Sequence, residues 1–319
     1  MKKILSILVV LVMALSMVGM TAVAEETTHK IGILAPATSH GWVGGVTYFA
    51  QTAADELLGE GNYILSTSSN ADEMSSQIET MIQQGVEAIV VWPQFTGVET
   101  AAEMALEAGI KIFNFDMIIN VDEKYAEDMY ILTGDNYGMG VAGANYIVEK
   151  IGTEGTVLIM DVPGSGNVAA DRKAGFIDTM AEIAPDMEFI EIATEFNREK
   201  GLTDMTAALT ANAQIDAVFS MDAESSIGAL QAIVEAGRTD IKAITGGGGC
   251  QEYFGMMTDE QYANIWVSSA TYTPDMIVNC IENAVAVLNG ETVENSVVLP
   301  TNVVDRDNVA DFINPDSPY

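Results

Sequence analysis

The sequence predicts an α/β protein with two doubly wound parallel sheets, one in each of two lobes, and three observations support this fold class. From Lys30 onward, short apolar runs alternate with longer segments of helical period about ten times. Strands this apolar are typical of parallel sheets that are covered by helices on both faces and joined by right-handed crossovers. About ten strands exceed the usual size of one strongly twisted open sheet, so we expect two sheets in two lobes.

The individual elements follow from the spacing of apolar residues along the chain. Runs rich in Ile, Val, Leu and aromatic residues predict strands at residues 31–35, 63–66, 88–92, 111–115, 129–133, 156–160, 189–192, 217–220, 241–245 and 265–270. Segments of helical period between them predict helices, most clearly at residues 43–58, 74–84, 98–108, 138–150 and 277–288. No linker rich in Pro, Gly or Ser interrupts the alternation, so we expect the chain to cross between the lobes at strand ends.

The first two dozen residues differ in composition from the rest and predict a secretory signal peptide over residues 1–24. Lys2 and Lys3 precede an apolar stretch over residues 4–17, and small residues end at Ala24. The apolar stretch is short for a membrane span of ~20 residues. We therefore expect cleavage after Ala24 and an exported protein, in the periplasm or at the extracellular face of the cell membrane, with no membrane insertion of the mature chain.

Charge and composition exclude several classes of protein. The chain carries 46 acidic and 13 basic residues, a net charge of −33, which would repel the phosphates of nucleic acids. Cys250 and Cys280 are the only cysteines, and the order of elements places them in different lobes, so we expect both to be free and buried. With only His29 and His40 as histidines, the sequence offers no metal site, and we expect no cofactor.

Residues that follow the predicted strands suggest the kind of ligand, because ligands of open parallel sheets bind beyond the carboxyl ends of the strands. This set consists of aromatic rings, carboxylates, amides and a glycine loop: His40, Trp42, Trp92, Asp116, Asp135, Asn167, Phe196, Asp222, Gly247 and Tyr272. Carboxylates accept hydrogen bonds from neighbouring hydroxyls, and aromatic faces cover the C–H face of a sugar ring. Anionic ligands would require more Arg or Lys. The set therefore predicts a neutral, hydroxyl-rich ligand.

Two glycine motifs have alternative interpretations. Gly138-Met-Gly-Val-Ala-Gly143 fits the dinucleotide pattern G-x-G-x-x-G, but three residues separate it from the fifth strand, so a closely packed helix is the preferred interpretation. Residues 246–249 are four glycines, but no Lys with Ser or Thr follows them, so a phosphate loop is not supported. A loop with positive φ angles, or one that a ligand approaches closely, is the preferred interpretation there.

Five of the predicted ligand contacts also have structural alternatives, and for Phe196 and Tyr272 the alternative is a position in the hydrophobic core. Asp116 and Asp222 stand where helices can begin, so each is a candidate N-cap. Trp42 is a candidate core residue of the first helix. The convergence of these side chains at strand ends favours a binding role.

At these residues the chain resembles the exported solute-binding proteins of ABC sugar importers, of the ribose- and galactose-binding type, which have the type I periplasmic binding fold. The resemblance rests on residues 30–42, 72–93, 134–140, 172–176, 196–202 and 217–232, and it covers nearly everything after the leader. It implies a three-segment hinge, with lobes of residues 25–134 plus 273–301 and residues 135–272 plus 302–319. It also implies a monomeric receptor, not an enzyme, that captures a neutral sugar or polyol and delivers it to a membrane permease.

The resemblance carries over residue by residue. It makes His40 and Trp42 the contacts of the first loop, Phe196 the aromatic of the second lobe, and Tyr272 the polar residue of the hinge. Asp116 and Asp222 become the acids after the fourth and eighth strands. Arg172 either contacts the ligand or braces its helix with Asp171 and neighbouring Glu residues.

The chain departs from the family pattern at three places, and these departures argue against ribose or galactose itself. Met117 and Ala170 stand where arginines are expected, and glycines at residues 246–249 replace an expected Asp. Two other functions remain open from the sequence: a secreted enzyme acting on sugars or nucleotides, and a ligand-binding sensor subunit of the same fold.

Overall fold

The structure is a computed structural model that describes residues 29–37 and 41–319. The predicted signal peptide and His40 lie outside the described residues. The strands are β1 (Ile31–Pro36), β2 (Tyr63–Ser68), β3 (Ala88–Val91), β4 (Lys111–Phe115), β5 (Met129–Gly134), β6 (Glu154–Asp161), β7 (Asp186–Ala193), β8 (Ala217–Ser220), β9 (Ala243–Ile244), β10 (Trp266–Ala270), β11 (Ser296–Leu299) and β12 (Val303–Asp305). The α-helices are α1 (Gly41–Leu57), α2 (Ala71–Gln83), α3 (Glu99–Glu107), α4 (Asn136–Ile151), α5 (Asn167–Ile183), α6 (Arg198–Ala211), α7 (Ala223–Glu235), α8 (Gln251–Met256) and α9 (Ile277–Leu288).

The strands form two six-stranded sheets. The first has the order β11-β5-β4-β3-β1-β2 and is parallel throughout. The second has the order β12-β10-β9-β8-β6-β7 and is parallel except for β12, which runs antiparallel to β10. The predicted fold class, two doubly wound parallel-sheet lobes, is therefore confirmed. The short strands β11 and β12 were not predicted, and β9 is shorter than the predicted run.

The central strands, such as β1, β3 and β8, are buried along their whole length because helices cover both faces of each sheet there. In β1, Ile33 packs into the core beneath α1 and α9, whereas the next residue, Leu34, packs into the core beneath α2 and α3. In β6, Ile159 and Met160 likewise belong to the cores on opposite faces of the second sheet. Successive side chains of a strand point to opposite faces, so a two-sided sheet needs continuous apolar runs.

Several helices begin at an Asp or Asn within four residues of the end of a strand. Asn70 caps α2 by accepting the N–H of Glu73 at 2.9 Å, and Asn197 caps α6 by accepting the N–H of Lys200 at 2.9 Å. A side-chain oxygen at this position satisfies one of the backbone donors that the first helical turn leaves unpaired. The caps fix where each chain segment turns, and therefore which side chains lie at the carboxyl edge of each sheet.

The chain passes between the two sheets three times. After β5 it enters α4, which packs on the second sheet. After β10 it returns through a short 3-10 helix, Pro274–Met276, which packs on α1 of the first lobe. Residues 300–302 then connect β11 of the first sheet to β12 of the second. All three passages lie at strand ends, as the absence of a linker predicts.

The glycine motif of α4 serves helix packing. A Cβ atom on Gly140 would lie 2.0 Å from the carbonyl oxygen of Arg172 in α5, and one on Gly143 would lie 2.6 Å from the ring of Phe219. In return, a Cβ atom on Gly175 of α5 would lie 2.1 Å from the carbonyl oxygen of Tyr137. A side chain at Gly140 or Gly175 would separate the two helices, and one at Gly143 would push α4 away from β8. The interpretation as a closely packed helix is confirmed, and the dinucleotide interpretation gains no support.

The cysteines lie where the sequence predicts. Cys250 precedes α8 in the second lobe and Cys280 lies in α9 of the first, and both are free and buried. In the part of the chain that the structure describes, no helix combines the length and the apolar character that a membrane span requires.

Candidate ligand-binding cleft

A cavity of about 450 Å³ lies between the lobes at the carboxyl ends of both sheets. The first lobe contributes Trp42, Trp92 and Asp116 to its lining, and the second contributes Arg172, Phe196 and Asp222. Its volume falls within the ~300–1,000 Å³ that small-molecule sites occupy. Gly247 and Tyr272 also line it, so eight of the predicted contacts come together here.

Aromatic rings form the wall on the side of the first lobe. Trp42 packs edge-on against Trp92, with ring centroids 5.0 Å apart, and stacks on Phe115 at 6.1 Å. The indole N–H of Trp42 donates to the carbonyl oxygen of Tyr272 at 2.7 Å. Trp42 therefore packs against the core of the first lobe and also lines the cavity.

Asp116 lies at the base of the cleft, directly after β4, and is 5% exposed. Its Oδ2 accepts the indole N–H of Trp92 at 3.0 Å, and its Oδ1 accepts the hydroxyl of Tyr272. Burial raises the pKa of this carboxyl, while the Tyr272 hydroxyl, Arg172 and the Trp92 indole act in the opposite direction. No helix begins here, so the N-cap alternative for Asp116 is wrong.

The backbone of Asp116 adopts a φ of +64°, which is uncommon for a residue other than glycine. Asp and Asn tolerate this left-handed conformation better than most side chains do. Conformations of this kind persist where the surrounding structure enforces them, and they cluster at binding sites. Here the conformation accompanies a carboxylate that is fixed from both sides by Trp92 and Tyr272.

Asp222 faces the cleft from the second lobe and caps α7, so the N-cap interpretation is confirmed for this residue. Its Oδ1 accepts the N–H of Ser225 at 3.0 Å, and its Oδ2 accepts the Ser225 hydroxyl. Burial raises the pKa of Asp222 to about 6, although the hydrogen bonds from Ser225 and the charge of Arg172 favour the ionised form.

The raised pKa predicts how the stability of the unliganded protein depends on pH. The Asp222 carboxyl titrates near pH 6 when folded and near its ordinary 3.8 when unfolded, so the folded state binds more protons between these values. The free energy of unfolding should therefore fall as the pH rises from 5 to 8, with Asp222 contributing about 1 kcal/mol over this range. In an Asp222→Asn variant, urea unfolding should show a smaller decrease over this range.

Asp240 provides a matched control for that measurement. Its pKa is lowered to about 2 by the Arg238 guanidinium, so it is ionised throughout the range from pH 5 to 8. In an Asp240→Asn variant, the free energy of unfolding should fall with rising pH as steeply as it does in the wild-type protein. If the free energy of unfolding falls equally steeply with pH in Asp222→Asn and in the wild type, the pKa of Asp222 is not raised by folding.

Arg172 lies buried between the two acids. Its Nε donates to Oδ1 of Asn136 at 2.9 Å and its Nη1 donates to the carbonyl oxygen of Met221 at 2.8 Å. Its guanidinium lies 4.7 Å from the ring centroid of Tyr272. It therefore braces α4 and the loop before α7; the expected brace to Asp171 is wrong. Its Nη2 makes no hydrogen bond within the described residues, so this nitrogen can donate to a ligand.

Two predicted contacts, Asp135 and Asn167, do not line the cavity. Asp135 caps α4, and its Oδ1 accepts the N–H of Gly138 at 2.7 Å, which turns the carboxylate back toward its own helix. Asn167 is exposed at the first turn of α5, while Ser165 of the preceding turn lines the cavity. Both predictions lack support because position after a strand does not fix where a side chain points.

Several lining residues were missed by the sequence interpretation: Gln94, Met117, Glu195, Glu224 and Tyr319. The first four adjoin predicted contacts or strand ends, so the strand-end rule could have included them. Tyr319 follows no predicted strand, and no sequence signal identifies it.

Comparison with known proteins places this architecture in a family. A family model described as a periplasmic binding protein domain matches residues 31–292. The chain is 27% identical over 243 residues to a ribose import binding protein of Bacillus subtilis, covering 74% of each chain. It is 23% identical over 293 residues to a xylitol-binding protein of Mycolicibacterium smegmatis, covering 90% of this chain and 80% of that one.

A solved structure supports the same assignment at the level of the fold. An ABC transporter periplasmic solute binding protein from Actinobacillus succinogenes 130z, with bound D-allose, superposes with a TM-score of 0.77 at 23% identity. The superposition covers 89% of this chain and 99% of that one. With the family model spanning most of the described residues, the chain belongs to the periplasmic binding protein domain family.

Proposed function

We propose that the protein is an exported, monomeric receptor that captures a neutral sugar or polyol between its lobes and delivers it to the permease of an ABC importer. The observation that carries the proposal is a cleft in which aromatic rings accompany two buried carboxylates, Asp116 and Asp222, one from each lobe. The names of relatives that bind ribose and xylitol support the ligand class.

The hydrogen bonds already present leave acceptors for ligand hydroxyls. A carboxylate offers about four lone-pair sites. Asp116 uses two of them for Trp92 and Tyr272, and Asp222 uses two for Ser225. The remaining sites suit adjacent hydroxyl groups, and the nearby rings suit the C–H face of the same molecule. A phosphate or carboxylate would instead be repelled by both acids.

The ligand is captured because its contacts are divided between the two lobes, with Asp116 on one side and Asp222 on the other. We propose lobes of residues 25–134 plus 273–301 and residues 135–272 plus 302–319, which move about the three chain passages. A ligand that bonds to Asp116 and Asp222 at once stabilises the closed arrangement more than the open one. The permease then distinguishes the closed, loaded form by the relative position of the lobes.

A thermal-shift panel tests this function. The panel contains D-ribose, D-xylose, D-allose, xylitol and allitol, with ribose 5-phosphate and glucuronate as charged controls. A ligand at about 100 times its dissociation constant stabilises the folded protein by about 2.7 kcal/mol, which corresponds to roughly 5–10 °C in melting temperature. We expect at least one neutral compound to reach this shift and to be recovered chemically unchanged.

Other results would contradict the proposal in distinguishable ways. Conversion of a stabilising compound into a product would indicate a secreted enzyme. Stabilisation by the charged controls alone would contradict the neutral ligand class. Stabilisation by none of the compounds would contradict the proposed ligand class as a whole.

A further inference from the structure

Tyr319, the last described residue, reaches the cleft through a segment that is anchored on the second lobe. After the short 3-10 helix Val309–Asp311, Phe312 packs edge-on against Phe254 of α8, with ring centroids 6.3 Å apart. Gln251 then accepts the N–H of Asn314 at 2.7 Å. These contacts fix the path of the segment before it enters the cleft.

The ring of Tyr319 contacts the first lobe where α1 has glycines. A Cβ atom on Gly41 would lie 2.9 Å from Cδ2 of Tyr319, and one on Gly45 would lie 3.3 Å from its Cβ. Residues four apart share one face of a helix, so these glycines open a groove. The Tyr319 ring fills this groove at Gly41, and Pro274 fills it at Gly45 together with the Cβ atom of Tyr319. On the other side, a Cβ atom on Gly248 of the second lobe would lie 3.2 Å from the Tyr319 hydroxyl. Tyr319 therefore touches both lobes.

The hydroxyl of Tyr319 is available to a ligand. The residue is 8% exposed and lines the cavity, yet its hydroxyl makes no hydrogen bond within the described ranges. Once a bound ligand excludes water from the cavity, a tyrosine hydroxyl needs a partner, and an unpaired one is costly. Burial and the nearby charges of Asp222 and Glu224 raise the pKa of this phenol well above its ordinary value, so it remains protonated and can donate.

We propose that Tyr319 is a specificity-determining contact of the cleft, whose hydroxyl bonds to a hydroxyl of the bound sugar or polyol while its ring packs against α1 at Gly41. The inference rests on the proposed function and extends it to a residue outside the strand-end set. A ligand that presents a hydroxyl to Tyr319 would satisfy the phenol and bridge both lobes, whereas an analogue without that hydroxyl would leave the phenol unpaired.

Calorimetric titration of Tyr319→Phe and Tyr319→Ala tests the inference, with each panel compound that stabilises the wild-type protein and its monodeoxy analogues as probes. Tyr319→Phe should weaken binding about threefold to tenfold, the range expected for one hydrogen bond. One monodeoxy analogue should bind the wild type and Tyr319→Phe equally. Tyr319→Ala should lose more than tenfold, because the ring is also removed.

Tyr262 supplies the matched control. It is 9% exposed, belongs to the same core cluster as Tyr319 and does not line the cavity, so Tyr262→Phe should bind as the wild type does. The inference would be overturned if Tyr319→Phe binds every compound and every monodeoxy analogue as tightly as the wild type does. A loss of affinity in Tyr319→Ala alone would not rescue it. If no panel compound binds the wild type, the proposed function fails, and the inference fails with it.

Discussion

An Asp116→Asn variant is expected to bind the neutral ligand about 10- to 100-fold more weakly than the wild-type protein. Hydrogen bonds to a charged acceptor contribute about 1.5–3 kcal/mol each, and the amide replaces one acceptor oxygen by a donor. That donor would face the indole N–H of Trp92 or the hydroxyl of Tyr272, which both donate to Asp116. Asn also tolerates the φ of +64°, so the loss would not result from backbone strain. Calorimetric titration with the stabilising panel compounds measures the change.

Asp135→Asn is the matched control. The sequence predicted both Asp116 and Asp135 as ligand contacts, but only Asp116 lines the cavity. Both acids follow strands of the first sheet, but Asp135 caps α4 and lies outside the cavity lining. Asn caps helices about as well as Asp, so this variant should keep both its stability and its affinity. Equal affinity losses in the two variants would contradict the assignment of Asp116 as the contact.

The alternation of apolar runs and helical segments predicted most of the fold because both faces of the sheets are buried at the central strands, and this burial requires continuous apolar runs there. β11 escaped this rule: it is an edge strand of four residues, and its Val298 is 58% exposed. Its place is fixed by pairing with β5, which a local pattern does not report. β12 is only three residues long, and its antiparallel pairing with β10 is likewise a tertiary contact.

The sequence predicted residues of the candidate site that closely follow a strand. Trp92, Asp116 and Asp222 follow strands, and the cavity collects all three. The rule identifies an edge of the sheet but not the direction of a side chain, so it also selected Asp135. Tyr319 reaches the cleft by the folding of a segment beyond the last strand, and only the three-dimensional path reveals it.

A Gly140→Ala variant is expected to destabilise the second lobe by about 3 kcal/mol or more. On helix propensity alone, alanine would stabilise α4 by about 1 kcal/mol. The added Cβ atom, however, would lie 2.0 Å from the carbonyl oxygen of Arg172 and 2.5 Å from the backbone nitrogen of Phe176. Backbone atoms cannot rotate away, so α4 and α5 must separate, and overpacking of this kind commonly costs 1–3 kcal/mol or more. Thermal unfolding should show a decrease of roughly 6–12 °C.

Gly255→Ala isolates the cause of that loss. Gly255 also lies in a helix, α8, but a Cβ atom there would meet no atom within 4 Å, so alanine should be neutral or slightly stabilising. Both variants make the same chemical change, glycine to alanine. If Gly140→Ala lowers the melting temperature and Gly255→Ala does not, the loss results from the contact between α4 and α5. Separation of these helices would also displace the backbone of Arg172, so ligand affinity should fall in Gly140→Ala but not in Gly255→Ala. A Gly140→Ala protein as stable as the wild type would mean that G-x-G-x-x-G does not serve close packing in this chain.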